Sequence, residues 1–164
     1  MAAAGGGLSA VASRRIQSEL TEWTRSPPEG MCLESCDPIT TWTIAMSGPE
    51  DAPVPLYRGE TFRLRIVFGP RYPLEPPEVI FIPPHVPIHP HLYSNGHICA
   101  DILYDGPNGA WSPALTISKL CLTLRSMLAS NADKRRPPGD ADYCRRVGGR
   151  SPKLTQWRFD DDTV

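Results

Sequence analysis

The stretch ETFRLRIVF, residues 60–68, alternates large apolar side chains with threonine and arginine. In an extended chain, Phe62, Leu64, Ile66 and Phe68 all point to one face, and the polar residues point to the other. This period of two predicts a β-strand that is buried on one side only.

Similar patterns flank this strand. TWTIAM at 41–46 alternates in the same way, and EVIFI at 78–82 is a short apolar strand. Turns rich in glycine and proline separate the three segments, at 48–59 and 69–77. Short connections of this kind predict an antiparallel meander.

Helical spacing appears on both sides of the meander. Ile16, Leu20 and Trp23 predict a helix that begins at Arg14 and stops at the Ser-Pro-Pro sequence of residues 26–28. An apolar stripe over residues 117–128 predicts a second, central helix. The order of helix, meander, irregular segment, helix and irregular tail indicates the α+β class.

The chain divides into three predicted parts. Residues 1–13 are expected to be a disordered N-terminal tail, although their small, acid-free composition also fits a cleaved transit peptide. Residues 14–131 form one catalytic core. Residues 132–164 are expected to be an atypical, partly disordered extension, with a weak helix near 140–147.

Composition argues against some classes of partner and indicates a compartment. The chain has 164 residues and a formal charge of −1, so no global basic field points to nucleic acid. No apolar run approaches the roughly 20 residues that span a bilayer, so no membrane partner is expected. Five cysteines without a Cys-x-x-Cys pair indicate reduced thiols in a protein of the nucleus and cytoplasm.

The irregular segment of residues 83–113 concentrates the reactive side chains. His89, His91 and His97 lie close to Cys99, and His85 precedes them. Zinc needs three or four converging ligands, and these residues supply enough donors, but the intervening prolines exclude a helical ligand face. An accessible cysteine with a lowered pKa would instead be a nucleophile. A buried, inert thiol is the third reading, and the local spacing alone leaves all three open.

The surrounding motifs resemble those of the ubiquitin-conjugating enzymes, over residues 14–130. The resemblance rests on YPLEPP at 72–77, HP at 89–90, NG at 95–96, ICADIL at 98–103 and WSPALT at 111–116. The basic run KRRPP at 134–138, the late Trp157, the DDDT near the end and His91 are similar to the W type of that family.

The resemblance implies an activity for Cys99. In the family, the matching cysteine accepts ubiquitin as a thioester from an activating enzyme and passes it to an amine, with RING or U-box ligases. It implies no cofactor and no metal, since ATP is used by the activating enzyme. The W type is associated with α-amino groups, so protein substrates with flexible N-termini are expected. Ordinary lysine-directed conjugation is the alternative.

The resemblance also assigns supporting residues. Most of the family has asparagine where this chain has His91, which is expected either to support the oxyanion or to order the loop. His89 and Asn95 are expected to order the same loop. The loop at 104–110 is longer than is usual for the W type, and it is expected to border the active site.

The resemblance also implies which residues contact partner proteins. Arg14 and Arg15 match basic residues that meet the activating enzyme and ligases. Leu74, Pro113 and Ala114 match apolar loop tips that contact RING and U-box ligases. The basic run 134–136 stands where many relatives carry acids that position a lysine, and a nuclear-import signal or a solvated charge run is the competing reading. A catalytically silent relative and a zinc-dependent hydrolase are the competing functional classes.

Overall fold

Helix α1, Ala10–Arg25, opens the fold in the computed structural model, which describes residues 7–159. The Ser9 hydroxyl caps it by accepting a hydrogen bond from the Ala12 N–H at 3.0 Å. The predicted start at Arg14 is therefore four residues too late. Residues 10–13, expected in the N-terminal tail, belong to the helix because this cap and the buried Ala12 extend its apolar stripe. Residues 1–6 of the predicted tail lie outside the described residues.

Four antiparallel strands follow in the order of the sequence. Their bounds are β1 Met31–Ser35, β2 Thr41–Ser47, β3 Thr61–Val67 and β4 Glu78–Phe81. Ile44 faces Leu64 across β2 and β3, and Leu64 faces Phe81 across β3 and β4. The predicted meander is confirmed, with the alternating apolar residues of β2 and β3 fully buried.

The sequence patterns did not predict β1. Its five residues, MCLES, carry only two apolar side chains at alternate positions, Met31 and Leu33. That signal is too short to separate from chance, and the strand forms because β2 supplies its hydrogen-bonding partner.

Helix α2, Ile117–Ala129, is the predicted central helix. It begins after Thr116, whose hydroxyl accepts a hydrogen bond from the Lys119 N–H at 3.2 Å. Its buried side chains, among them Leu120, Cys121 and Leu124, join those of α1 and the sheet in one core.

A buried carboxylate connects the two helices. The Glu19 side chain, on α1, accepts hydrogen bonds from the Tyr72 hydroxyl and, at 2.6 Å, from the Ile117 N–H at the start of α2. Arg15 pairs with Glu19 at 3.1 Å and donates to the Leu115 carbonyl at 2.9 Å. These contacts satisfy a charge that would otherwise be costly to bury.

The C-terminal extension folds back onto the core. Helix α3, Asp140–Val147, confirms the helix predicted near these residues, and a 3₁₀ turn at Pro152–Leu154 follows it. The elements together confirm the α+β class. Among residues 7–159, no helix is both long and apolar enough to cross a membrane.

Candidate active site

The segment that carries Cys99 is held by buried anchors rather than by regular structure. Leu92 forms isolated β-bridges with His89 and Ile98, and both Leu92 and Ile98 are fully buried. Gly96 lies against β4 with a positive φ of 92°, and an added Cβ would stand 1.9 Å from the Phe81 carbonyl oxygen. Glycine at position 96 is therefore required by both the turn and the close approach of the two backbones.

Cys99 is half-buried at the end of this segment. Its N–H donates to the His91 carbonyl oxygen at 2.8 Å, which places the backbones of the two residues side by side. Its thiol lies 3.8 Å from the carbonyl oxygen of Arg158, in the C-terminal extension. The extension therefore passes directly over the sulfur.

His89 is buried, and its role is to hold the loop. Its Nδ1 accepts a hydrogen bond from the His91 N–H at 2.9 Å, and the ring also bonds the Met127 backbone on α2. Burial, reinforced by His91, lowers the pKa of His89 to about 4. The ring is therefore neutral near pH 7 and suited to positioning the loop.

His91 and Asn95 stand on the same loop. The imidazole rings of His89 and His91 lie with centroids 5.5 Å apart, and His91 is half-buried. The side-chain oxygen of Asn95 accepts a hydrogen bond from the His97 N–H at 3.0 Å, which closes the turn before Cys99.

His97 has a role that the sequence did not reveal. Its Nδ1 lies 2.7 Å from the Tyr143 hydroxyl on α3, and that hydroxyl is 2.9 Å from the Thr155 hydroxyl. Burial lowers the pKa of His97, which favours the neutral ring in this contact. His97 thus fastens the C-terminal extension to the segment that carries Cys99.

Stacked aromatic rings complete the seat of the extension. Trp157 and Phe159 stack on Tyr104, with centroids 5.3 and 6.1 Å away. Tyr93 packs against Tyr143 at 4.0 Å. Local sequence patterns could not predict this arrangement, because the rings are far apart in the sequence and meet only in the folded chain.

A cavity of about 950 Å³ opens beside Cys99. One wall is the loop predicted to border the active site, through Asp105, Pro107 and Asn108, and the other wall is the C-terminal extension. The loop closes on itself where the Trp111 N–H donates to the Tyr104 carbonyl oxygen at 3.0 Å. The expected position of the loop is thereby confirmed.

The basic run at 134–136 lies away from the cavity beside Cys99. Lys134 pairs with Glu60 at 3.0 Å, and Arg135 pairs with Asp133 at 3.0 Å. Arg136 donates to three backbone carbonyls, at 2.7 to 3.2 Å, of residues 86, 87 and 92. None of the three side chains lines the described wall of the cavity beside Cys99, because local partners hold them elsewhere.

The predicted ligase contacts lie on two joined loops. Leu74 is 66% exposed, and Pro113 and Ala114 are also exposed. The Trp111 indole N–H donates to the Pro73 carbonyl oxygen at 3.0 Å, which ties the loop of Leu74 to the loop of Pro113.

The two arginines predicted to bind partners differ. Arg14 is exposed on α1, whereas Arg15 is largely engaged by Glu19 and the Leu115 carbonyl. Of these two arginines, Arg14 therefore presents its charge to solvent, whereas Arg15 stabilises the fold through its contacts with Glu19 and Leu115.

The other thiols contrast with Cys99. Cys121 is completely buried, and burial raises the pKa of its thiol, which makes it unreactive. The four cysteines other than Cys99, at 32, 36, 121 and 144, are free thiols. In residues 7–159, no group of three or more histidine, cysteine or carboxylate side chains is arranged to hold a metal ion.

Comparison with known proteins assigns the family. The family model described as ubiquitin-conjugating enzyme matches residues 15–150. The chain belongs to the ubiquitin-conjugating enzyme family. The sequence-based assignment of the family and of the fold is therefore confirmed.

Individual relatives extend over nearly the whole chain. The enzyme is 47% identical over 152 residues to a probable ubiquitin-conjugating enzyme E2 W of Dictyostelium discoideum, covering 93% of this chain and 97% of that one. It is 46% identical to a probable ubiquitin-conjugating enzyme E2 16 of Arabidopsis thaliana, covering 96% and 93%. The crystal structure of the ubiquitin-conjugating enzyme UbcA1 from Agrocybe aegerita matches with a TM-score of 0.78 and 36% identity, covering 88% and 100%. The resemblance to the W type is confirmed.

Membership of the family fixes the reaction class. Ubiquitin-conjugating enzymes are transferases that form a thioester, and their partners are ubiquitin, an activating enzyme and ligases.

Proposed function

We propose that Cys99 receives ubiquitin as a thioester and that the enzyme passes it to α-amino groups of flexible substrate N-termini. RING or U-box ligases assist the transfer. The observation that carries the proposal is the scarcity of carboxylates in the cavity beside Cys99. Among residues 7–159, its lining holds four basic side chains and one carboxylate, Asp105.

Cys99 is the thiol best placed for this chemistry. It borders the cavity, whereas Cys121 is sealed in the core and Cys144 contacts Asp140 and Ser94 on the outside of α3. The Cys99 thiolate attacks the ubiquitin thioester of the activating enzyme, and the thiol of that enzyme leaves.

In the second step, an acceptor amine attacks the carbonyl carbon of the Cys99 thioester. An amide bond forms, the Cys99 thiolate leaves, and the amine loses a proton. Negative charge develops on the carbonyl oxygen. His91, whose backbone lies beside that of Cys99, supports this charge or orders the loop in place of the asparagine of most relatives.

A cavity poor in carboxylates suits α-amines better than lysines. A free lysine has a pKa of about 10.4 and an α-amine one of about 7.7–8.0. Near pH 7.5, roughly a thousandth of lysines and roughly a third of α-amines are neutral. A lysine therefore depends on acidic side chains that hold and deprotonate it, and the described lining offers Asp105 alone, whereas an α-amine is already substantially neutral.

Ligase binding is supported by the joined loops that carry Leu74, Pro113 and Ala114. Their exposed apolar atoms form a small surface that is separate from the described cavity lining. Such clusters of exposed apolar residues are typical of protein contacts.

The test uses enzyme loaded with ubiquitin and freed of activating enzyme and ATP. Peptides with a flexible N-terminus and one internal lysine are added either free or acetylated at the N-terminus. We expect the free peptides to discharge the loaded enzyme. The acetylated peptides and Nα-acetyl-lysine should discharge it at least tenfold more slowly. Equal rates for free and acetylated peptides would return the enzyme to ordinary lysine-directed conjugation.

A further inference from the structure

The cavity beside Cys99 carries an excess of positive charge that its described neighbours do not neutralise. Arg146 lies on α3, and Arg150, Lys153 and Arg158 follow it along the extension. With Asp105 opposite, the described lining has a net charge of +3.

The four cations have no carboxylate partner within residues 7–159. Arg150 donates to the carbonyls of Arg146 and Val147, and Lys153 donates to the Pro76 carbonyl at 2.8 Å. The Arg146 guanidinium lies 5.9 Å from the centre of the Tyr143 ring. By contrast, Arg145, which immediately precedes Arg146 on α3, pairs with Asp142 at 2.9 Å and lies outside the described lining.

From this arrangement we propose that the cavity binds acidic residues of the acceptor protein, close behind the N-terminal amine that attacks the thioester. The proposal rests on the proposed function and names its substrate class: flexible N-termini rich in aspartate and glutamate. The acceptor enters between the loop at 104–110 and the extension, with its amine at Cys99 and its carboxylates at the arginines.

The size and depth of the cavity fit a peptide. Its volume, about 950 Å³, is near the upper end of the roughly 300–1,000 Å³ usual for ligand sites. An extended chain advances about 3.3–3.6 Å per residue, so several residues fit between the walls. Guanidinium groups bind carboxylates through paired hydrogen bonds, which suits arginine at three of the four positions.

The test compares three peptides of equal length with free N-termini and one internal lysine outside residues 3–6, in which residues 3–6 are acidic, neutral amide or basic. Enzyme loaded with ubiquitin is mixed with each peptide, and the second-order rate of discharge is measured. We expect the acidic peptide to react about tenfold faster than the neutral one, since each exposed ion pair contributes about two- to fivefold. The preference should fall as salt shortens the screening distance from about 10 Å at 0.1 M to about 3 Å at 1 M.

The variants are Arg146→Glu and Arg158→Glu, with Arg145→Glu as the matched control of equal charge change. Arg150 is left unchanged because it caps α3. Ubiquitin loading by the activating enzyme reports whether each variant is folded. We expect each of the first two changes alone to reduce the acid preference about two- to fivefold and Arg145→Glu to retain it. Equal rates on acidic and neutral peptides in the unaltered enzyme, or equal loss in the control, would overturn the inference.

Acetylated versions of the same peptides separate this inference from the proposed function. If acetylation stops discharge but acidic and neutral peptides react equally, the acid-binding cavity is wrong and the α-amine preference stands. If acetylated peptides react as fast as free peptides and the acid preference persists, the α-amine preference is wrong and the acid-binding cavity stands. A chain ending at Phe159 should keep the preference. If the preference appears only in that shortened chain, the chain's own acidic end is the ligand, and the proposal fails.

Discussion

His89 should make the stability of the enzyme depend on pH. Its ring is only 4% exposed, and burial with the nearby His91 lowers its pKa to about 4 in the folded protein. In the unfolded chain the pKa of histidine is about 6.5. Between these two values the unfolded chain binds a proton that the folded protein does not, so stability falls as the pH falls.

The size of the effect follows from the two pKa values. At about 1.36 kcal/mol for each pKa unit, the interval from about 6.5 to about 4 corresponds to about 3 kcal/mol. Above pH 7.5, His89 does not lower the free energy of unfolding. At pH 5 it lowers that free energy by about 2 kcal/mol, and at pH 4 by nearly the full amount.

Urea unfolding from pH 7.5 to pH 4 measures this dependence. The matched variant is His89→Gln, whose amide is neutral throughout and can still donate to the Met127 backbone. Because all other titrating groups are shared, the difference between the two curves isolates His89. We expect the wild-type protein to lose about 3 kcal/mol more than the variant over this range. Parallel curves would refute the reasoning that His89 is buried as a neutral ring.

Three further changes test the fold and the partner surfaces. Glu19→Ala leaves the Ile117 N–H and the Arg15 charge without their buried partner, so it should cost about 3–5 kcal/mol and lower the Tm by about 6–20 °C. The exposed Glu22→Ala serves as control, and a change below about 1 kcal/mol for Glu19 would contradict the structure. Leu74→Ala should leave ubiquitin loading intact and slow ligase-stimulated discharge about fivefold or more, and equally impaired loading would count against a ligase surface. Trp157→Ala removes the ring that stacks on the core and should abolish hydrogen-exchange protection in residues 152–157, and unchanged protection would disprove that the ring seats the extension.

The sequence predicted the elements that carry strong periodicity. The alternation in 60–68 and 41–46 identified β3 and β2, and the stripe in 117–128 identified α2, because each pattern reflects the single buried face of its element. Strand β1 was missed because two apolar residues do not define a period. The early start of α1 depended on the Ser9 cap, which composition concealed behind a run of small residues.

The site was predictable only where its motifs are local. The segment around Cys99 is continuous in sequence, so its loop and its histidines could be identified together. The contacts of the extension could not, since His97 meets Tyr143 46 residues later, and Tyr104 meets Trp157 across 53 residues. The contacts of the basic run at 134–136 could not be predicted for the same reason, because its partners, such as Glu60, lie far away in the sequence.

The central claim is that Cys99 carries ubiquitin as a thioester. The enzyme is incubated with activating enzyme, ATP and ubiquitin, and the products are separated on gels with and without reducing agent. We expect a band one ubiquitin heavier that disappears on reduction, that persists on reduction for Cys99→Ser and that is absent for Cys99→Ala. Cys144→Ala, a second half-buried thiol, should load like the unaltered enzyme. A reducible adduct that still forms on Cys99→Ala would contradict the account.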